Sequence, residues 1–291
     1  MVKTYSGLYL QARRTLLETE EPTFAAMLAR QLLCYVSGKT QEELLRDQQM
    51  YASEAIGEAM DAAIGRVKAG EPLAYILGEW EFHGLKLYVN EHVLIPRDDT
   101  CAVADLAIKK ALFLNQNPRV LDLCTGSGCI GLAVASRVRD ARVTLADISK
   151  EALAVAKRNI QRNHLTGKVA CYQVNALQKP PAFLGKYDLI VSNPPYITTA
   201  DMETLDKSVK DFEPRLALHG GDDGLDFYRA IAENYKHALN EGGYICFEFG
   251  EDQGDDVCAI LEANGYTILE RSKDYNDRER AVLAQLNRKE E

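Results

Sequence analysis

The chain has 291 residues, a formal net charge of -9 at pH 7 and 46% hydrophobic residues. Its length suits two domains of about 100 to 200 residues each, and it is long enough to bury a substantial core. No uncharged apolar run reaches the roughly 18 residues that a membrane span needs, and Met1–Leu10 lacks the basic and apolar blocks of a secretory signal. We therefore expect a cytoplasmic protein that makes no membrane contact.

The cysteines and histidines show no arrangement typical of a disulfide framework or a metal site. Seven cysteines are scattered without a CxxC pair, and the five histidines are dispersed. Reduced thiols and the absence of a bound metal are the expectation. The net acidity argues against a protein that grips long stretches of nucleic-acid backbone, because such binding needs clustered Lys and Arg. Direct nucleic-acid binding is therefore not expected.

Residues 1–75 are predicted to form a small all-helical domain. Apolar residues recur every three to four positions from Phe24 to Val36, as in an amphipathic helix. Thr40 and Glu43 have the spacing of a helix-capping box, and Ser53 begins a further helix that Gly70 stops. Residues 76–97 change to alternating apolar and polar residues around Gly84, which predicts a β-hairpin linker.

Residues 98–291 alternate strand-like with helix-like segments, which predicts an α/β domain with a mostly parallel sheet. The predicted strands are Val120–Cys124, Val143–Ile148, Val169–Val174, Leu189–Ser192, Tyr244–Phe249, Tyr266–Arg271 and Ala281–Leu286. The predicted helices are Ile130–Val138, Lys150–Asn163, Leu225–Leu239 and Gln253–Ala263. Ligands of such folds bind at the carboxyl ends of the strands, so the function is expected in the turns that follow them.

Two of these turns have features of a nucleoside-binding site. Gly126 and Gly128 follow the first strand, where glycines allow a sharp turn and close approach of a ligand. Asp147 ends the next strand and could accept hydrogen bonds from ribose hydroxyls. A plain structural turn and a helix cap at Asp147 are the alternatives, although Ser149 competes for the cap.

The most discriminating sequence is Asn193-Pro194-Pro195-Tyr196, which follows the fourth strand. Each proline restricts its predecessor to extended geometry and has no N–H to donate. Asn193 and Pro194 are therefore expected to be rigid, with carbonyl oxygens free to accept hydrogen bonds. A plain turn or a proline-rich docking motif would also explain the tetrapeptide alone.

Several further blocks carry a resemblance to a known family. The tetrapeptide, with the glycine loop and Asp147, resembles class I methyltransferases that modify planar nitrogens using S-adenosylmethionine. Additional blocks single out the release factor glutamine methyltransferases, the HemK family, and they are Pro72–Gly78, Glu81–Gly84, Leu94–Arg97, Glu213–Leu218 and Gly220–Leu225. The resemblance implies a Rossmann-like catalytic domain with a seven-stranded sheet, preceded in the chain by a helical domain. It also implies transfer of a methyl group to N5 of the glutamine in the Gly-Gly-Gln loop of peptide chain release factors.

Site residues follow from the resemblance position by position. S-adenosylmethionine, which leaves as S-adenosylhomocysteine, would contact Cys124, Thr125, Gly126, Ser127, Gly128, Asp147, Ala176 and Asn193. The catalytic residues would be Asn193, Pro194 and Tyr196. The substrate amide would be bound by these three together with Pro195, and no metal would take part.

The sequence departs from the family pattern at three places. Cys124 replaces a glycine, Asn175-Ala176 replaces an acidic and bulky pair, and Asp98–Cys101 replaces a Pro-acid-Thr-Glu run. The first two departures concern cofactor contacts, and the third leaves Cys101 without an assigned role.

Two other functions remain open from the sequence. One is an adenine-N6 nucleic-acid methyltransferase, which shares the tetrapeptide but needs a grip on phosphates that an acidic chain does not favour. The other is a non-catalytic module that binds a ligand or partner. The helical domain is expected to recognise a release factor, and a folding or solubility appendage is the alternative.

Overall fold

The computed structural model describes residues 3–114 and 117–288. The helices are α1 (Tyr5–Leu16), α2 (Pro22–Ser37), α3 (Gln41–Arg46), α4 (Glu54–Lys68), α5 (Leu73–Leu77), α6 (Cys101–Leu112), α7 (Cys129–Arg137), α8 (Lys150–Arg162), α9 (Lys207–Lys210), α10 (Asp226–Asn234) and α11 (Gly254–Ala263). The strands are β1 (Glu79–Phe82), β2 (Leu85–Tyr88), β3 (Arg119–Leu123), β4 (Arg142–Asp147), β5 (Val169–Gln173), β6 (Tyr187–Ser192), β7 (Leu239–Glu248), β8 (Tyr266–Lys273) and β9 (Glu279–Leu286). None of the helices in these described ranges is long and apolar enough to cross a membrane.

Contacts divide the chain into two compact units. One comprises Met1–Gly78 with Lys207–Phe212, and the other comprises Glu79–Asp206 with Glu213–Glu291. We call them the helical unit and the sheet unit. The hairpin β1-β2 clusters with the sheet unit, and the short segment around α9 clusters with the helices.

The helical unit is built from amphipathic helices with the caps that the sequence predicts. Thr40 and Glu43 form the reciprocal capping box, and the Ser53 hydroxyl accepts from the amide of Ile56 at the start of α4. The interior is formed by apolar side chains of α1, α2, α4 and α5 that recur on one face of each helix. Burial of these faces stabilises helices that would be marginal in isolation.

The sheet unit contains a seven-stranded sheet with the order β5-β4-β3-β6-β7-β9-β8. β3 to β7 pair in parallel, and β9 pairs antiparallel with both β7 and β8. The mostly parallel seven-stranded sheet is therefore confirmed. Strand order reverses between β3 and β6, which creates the crevice where doubly wound folds bind ligands.

Three local features differ in detail from the predictions. The β-hairpin predicted within residues 76–97 is formed by Glu79–Tyr88, and a short helix that ends at Gly78, a glycine in left-handed conformation, precedes it. The helix predicted for Leu225–Leu239 is an α-helix from Asp226 to Asn234 that continues as a 3₁₀ helix over Tyr235–Ala238, and Leu239 already pairs with Tyr187 in the sheet. Helix α6 was not predicted, because most of its residues are apolar and its polar residues are only Asp105, Lys109 and Lys110.

Candidate active site

A cavity of about 480 Å³ opens at the carboxyl ends of β3, β4 and β6, within the roughly 300 to 1,000 Å³ typical of ligand sites. Residues from the glycine loop, from the end of β4 and from the tetrapeptide line it together. These include Cys124, Gly126, Asp147, Ala176, Asn193 and Pro195. The switch in strand order thus brings the predicted nucleoside-binding turns to one cavity.

The glycine loop owes its shape to three residues with positive φ. Cys124, Gly126 and Gly128 have φ of +57°, +53° and +86°, a region that L residues rarely adopt. At Gly128 a Cβ atom would lie 3.0 and 3.2 Å from the Leu145 and Leu132 side chains, so a larger residue would also crowd these leucines. Cys124 adopts a left-handed conformation that glycine adopts more readily than other residues. This agrees with the glycine that the family pattern has at this position.

Asp122 braces the loop from below. Its Oδ2 atom accepts from the Thr125 hydroxyl at 2.6 Å and from the Gly131 amide at 2.9 Å. Full burial raises the pKa of Asp122 to about 7. The Thr125 hydroxyl group is therefore already hydrogen-bonded within the fold. A contact of Thr125 with the cofactor would come from other atoms of this residue.

Asp147 holds the same loop from the neighbouring strand. Oδ2 accepts from the Gly126 amide and Oδ1 from the Ser149 amide, both at 2.9 Å. Ser149 itself caps α8 by accepting from the Ala152 amide at 3.0 Å, so Asp147 is not the helix cap. Burial raises the pKa of Asp147, and its carboxyl group lies at the cavity wall.

A buried asparagine, Asn159 of α8, joins the loop to the hairpin. Its Nδ2 donates to the carbonyl oxygens of Ser127 and Tyr88, each at 2.9 Å, and its Oδ1 accepts from the Tyr88 amide at 2.6 Å. This contact was not anticipated from the sequence, where Asn159 reads as one polar residue of an amphipathic helix. All three bonds fix backbone near the cavity.

The tetrapeptide begins where β6 ends beside β3. The Ser192 hydroxyl donates to the Leu123 carbonyl oxygen at 2.7 Å and so links the two strand ends. Asn193 follows at the cavity wall, and its Nδ2 lies 3.4 Å from the Thr100 hydroxyl as a hydrogen-bond donor. The glycine loop and Asn193 are thus fixed relative to one another.

Two glycines and one glutamine hold the tetrapeptide from behind. A Cβ on Gly220 would lie 2.6 Å from the Pro195 carbonyl oxygen, and one on Gly224 would clash with the Tyr196 carbonyl oxygen. The Gln253 side chain donates to that same Tyr196 oxygen at 3.1 Å. The sequence signal was the Gly220–Leu225 block, whose close approach to the tetrapeptide backbone only the tertiary structure shows.

Glu248, to which the sequence assigns no role, lies beside Asn193. It is 2% exposed, and burial raises its pKa to about 8. Its Oε2 atom has no hydrogen-bond partner. A buried carboxyl group without full hydrogen bonding is costly for folding.

A second buried glutamate, Glu213, ties together two segments at the cavity rim. Its Oε2 accepts from the Ile95 amide at 3.1 Å, and its Oε1 pairs with Arg97. The neighbouring residues Leu94 and Pro214 line the cavity. The Leu94–Arg97 and Glu213–Leu218 blocks therefore act as one structural element.

The other predicted site residues lie close to this cavity without lining it. Within the described part of the chain, the lining excludes Thr125, Ser127, Gly128, Pro194 and Tyr196. Thr125 and Ser127 are 5% and 2% exposed, and Tyr196 packs against the core beside α10 and β7. The cofactor and catalytic roles of all these residues stay predictions.

The thiols near the loop are poor candidates for nucleophiles. Burial raises the pKa of Cys124 and of Cys129 far above the ordinary thiol value. Across residues 3–114 and 117–288, no group of three or more His, Cys, Asp or Glu side chains is placed to hold a metal ion.

Comparison with known proteins identifies the family. Residues 105–221 match the family model described as Methyltransferase small domain, and residues 7–78 match the PrmC N-terminal domain. A curated release factor glutamine methyltransferase of Clostridium acetobutylicum is 40% identical over 253 residues, which cover 87% of this chain and 88% of the relative. The protein of the same name from Agrobacterium fabrum is 37% identical over 257 residues, with 87% and 88% coverage.

A solved structure supports the fold independently. The crystal structure of a methyltransferase from Pyrococcus furiosus aligns with a TM-score of 0.52 at 18% identity, covering 77% of this chain and 97% of that chain. Together with the relatives, this agrees with a class I methyltransferase sheet that follows an N-terminal helical unit in the chain. The chain belongs to the release factor glutamine methyltransferase family.

Proposed function

We propose that this protein uses S-adenosylmethionine to methylate N5 of the glutamine in the Gly-Gly-Gln loop of peptide chain release factors. The observation that carries the proposal is that Asn193 of the tetrapeptide shares one cavity with Gly126 and Asp147. The proposed amide-binding residue and the proposed nucleoside-binding turn are thus close enough to serve one transfer reaction. The relatives of this name support the choice of substrate.

The cavity fits the cofactor chemically. Asp147 offers carboxylate oxygens for ribose hydroxyls at the wall, and open space beside Gly126 would admit a ligand close to the backbone. Ala176, with the neighbouring apolar residues Ile148 and Leu177, would take the adenine ring. S-adenosylmethionine supplies an electrophilic methyl group on a sulfonium centre, and its product is S-adenosylhomocysteine.

The chain's own contribution is orientation of a poor nucleophile. The lone pair of an amide nitrogen is conjugated with its carbonyl group, so attack requires that the nitrogen be aligned with the methyl group. The Asn193 side-chain oxygen and the Pro194 carbonyl oxygen accept hydrogen bonds from the two N–H groups of the substrate amide, and these bonds align its nitrogen with the methyl group. Both oxygens also stabilise the positive charge that develops on the nitrogen.

The prolines and the tyrosine complete the substrate site. Pro195 keeps the backbone rigid, and the Tyr196 ring packs against the flat amide of the substrate. The methylated amide is acidic and loses its extra proton readily, so the chain needs neither a strong base nor a metal for this step.

A transfer assay with methyl-labelled S-adenosylmethionine tests the function. We expect label on release factor, no label on a release factor with the loop glutamine changed to alanine, and no label on duplex DNA. Label on DNA alone would establish the adenine-N6 activity instead. Cofactor binding without transfer to any of the three would favour a non-catalytic module.

The helical unit, proposed as residues 1–75, would recognise the release factor away from the methylated loop, with residues 76–97 as linker and 98–291 as catalytic domain. Exposed apolar side chains of the helices, among them Leu10 and Leu45 at 57% and 67% exposure, offer contact area. The double substitution Leu10→Ser with Leu45→Ser should raise KM for release factor and leave Kd for S-adenosylmethionine unchanged. Equal KM values would favour a folding appendage.

A further inference from the structure

The side-chain amide of Asn193 ends in two chemically different atoms. Only one of them can accept a hydrogen bond from an N–H group of a substrate amide. Oδ1 is an acceptor, whereas Nδ2 is a donor. A half-turn of the amide group would place Nδ2 toward the cavity and present a donor to the substrate's own N–H groups. Whatever contacts Nδ2 therefore decides whether the proposed reaction can occur.

The polar side chains nearest to Nδ2 come from two distant segments. Thr100, which closes a turn before α6, is 2% exposed and accepts from Nδ2 at 3.4 Å. Glu248 is the last residue of β7, one position beyond the pairing of Phe247 with Ser192, which places it next to Asn193. Burial raises the pKa of the Glu248 carboxyl group, and its proximity to Thr100 and Asn193 lowers that pKa in part.

The charges around Glu248 do not neutralise it as an ordinary ion pair would. Arg280 attracts the carboxyl group, but Arg280 is already paired with Asp274 at 3.2 Å and with Asp99 at 3.4 Å. Burial has the largest effect on the pKa of Glu248, and its Oε2 atom has no hydrogen-bond partner. An apolar residue would cost less at this position, so the carboxyl group is kept at the expense of stability.

We propose that Glu248 is a positioning residue that, together with Thr100, engages Nδ2 of Asn193 and so directs Oδ1 toward the substrate amide. This inference rests on the proposed function, because Glu248 has a positioning role only if Asn193 accepts a hydrogen bond from the substrate amide. Glu248 acts through Asn193 and does not itself touch the substrate.

Four variants separate this role from a structural one. Glu248→Gln keeps an acceptor oxygen at the same length, Glu248→Met keeps length and removes the acceptor, and Thr100→Val removes the hydroxyl group. Glu251→Gln is the control, since Glu251 is exposed and pairs with Arg278. The measurements are kcat and KM with release factor, and Kd for S-adenosylmethionine by calorimetry.

We expect Glu248→Met to lower kcat by about 30-fold or more, with Kd for the cofactor changed by less than about twofold. Glu248→Gln should recover most of that loss, Thr100→Val should lower kcat by about fivefold to tenfold, and the control should match the wild type. If Glu248→Met does not fold, the decision rests on Thr100→Val, which should show the loss of kcat by about fivefold to tenfold, and on Glu248→Gln, whose kcat should stay close to the wild type.

Two outcomes would overturn the inference. One is a kcat within about threefold of the wild type for Glu248→Met, or for Thr100→Val where the former is unfolded. The other is a loss of kcat in Glu248→Gln as large as that in Glu248→Met, which would show that an acceptor oxygen is not what the site needs. A wild-type protein that transfers no methyl group to release factor would instead refute the proposed function.

Discussion

The two ends of the cavity are built in different ways. The proposed cofactor end depends largely on local backbone, because the glycine loop has three positive-φ residues within five positions and a hydrogen bond from Thr125 to Asp122, although Asp147 of the next strand also holds the loop. The proposed substrate end depends on distant segments, because Thr100 and Glu248 lie beside Asn193 and Gly220 packs closely against the backbone of Pro195 and Tyr196. The comparison teaches that the shape of the proposed cofactor end is set mostly by nearby sequence, whereas the proposed orientation of the substrate amide depends on tertiary contacts.

The sharpest separation of the two ends is the substitution Asn193→Ala. It removes the proposed acceptor for the substrate amide, so kcat should fall by about 1,000-fold or more, as for loss of a group that stabilises developing charge. Calorimetry should still detect binding of S-adenosylmethionine, because the glycine loop and Asp147 are unchanged. Turnover near the wild-type rate would refute the role of Asn193.

Gly220→Ala tests whether the substrate end needs its distant support. The added methyl would lie 2.6 Å from the Pro195 carbonyl oxygen and 2.7 Å from the Tyr196 Cα atom, both of them backbone atoms. We expect kcat to fall by about 100-fold and stability by about 1 to 3 kcal/mol. Gly167→Ala, where a Cβ would meet nothing within 4 Å, is the matched control and should behave as the wild type.

Asp147→Ala tests the cofactor end. It removes the proposed ribose acceptor and the bond to the Gly126 amide, so Kd for S-adenosylmethionine should rise by about 30-fold. At saturating cofactor, kcat should recover to within about threefold of the wild type. A lasting loss of kcat would mean that the two ends are not as separate as we describe.

The smallest effect concerns the pH dependence of stability. Glu248 has an ordinary pKa of 4.5 and a folded-state pKa of about 8, so the folded state binds this proton more tightly than the unfolded state. The free energy of unfolding should therefore fall as pH rises from 4.5 through 8, and the share due to Glu248 is about 2 kcal/mol between pH 6 and 8.

Urea unfolding of Glu248→Gln at several pH values checks this expectation. The variant has no titrating group there, so the difference in unfolding free energy between wild type and variant should shrink or change sign in favour of the variant as pH rises. Asp122, with a pKa of about 7, titrates in both proteins and cancels in the difference. Parallel curves would show that Glu248 is already ionised at pH 6.

Much of the fold and part of the site could be predicted from the sequence. Strict periodicity, caps such as Thr40 and Ser53, and turn glycines are local signals, and the structure confirms the elements that they predict. Asn193 and Asp147 were found because each ends a buried strand within a recognisable block. Glu248 also ends a strand, but no neighbouring residue in the sequence marks it as buried or as close to Asn193.

The sequence by itself determined the alternation of strands and helices, the rigid tetrapeptide and the glycine loop, because these depend on backbone preferences within a few residues. Only the tertiary structure decided that Thr100, Asn193 and Glu248 meet, that Gly220 presses against the tetrapeptide, and that Asn159 ties the loop to the hairpin. The physical reason is that parallel strands bring together residues far apart in the chain. Burial there sets the protonation and hydrogen bonding of side chains whose sequence neighbours reveal neither.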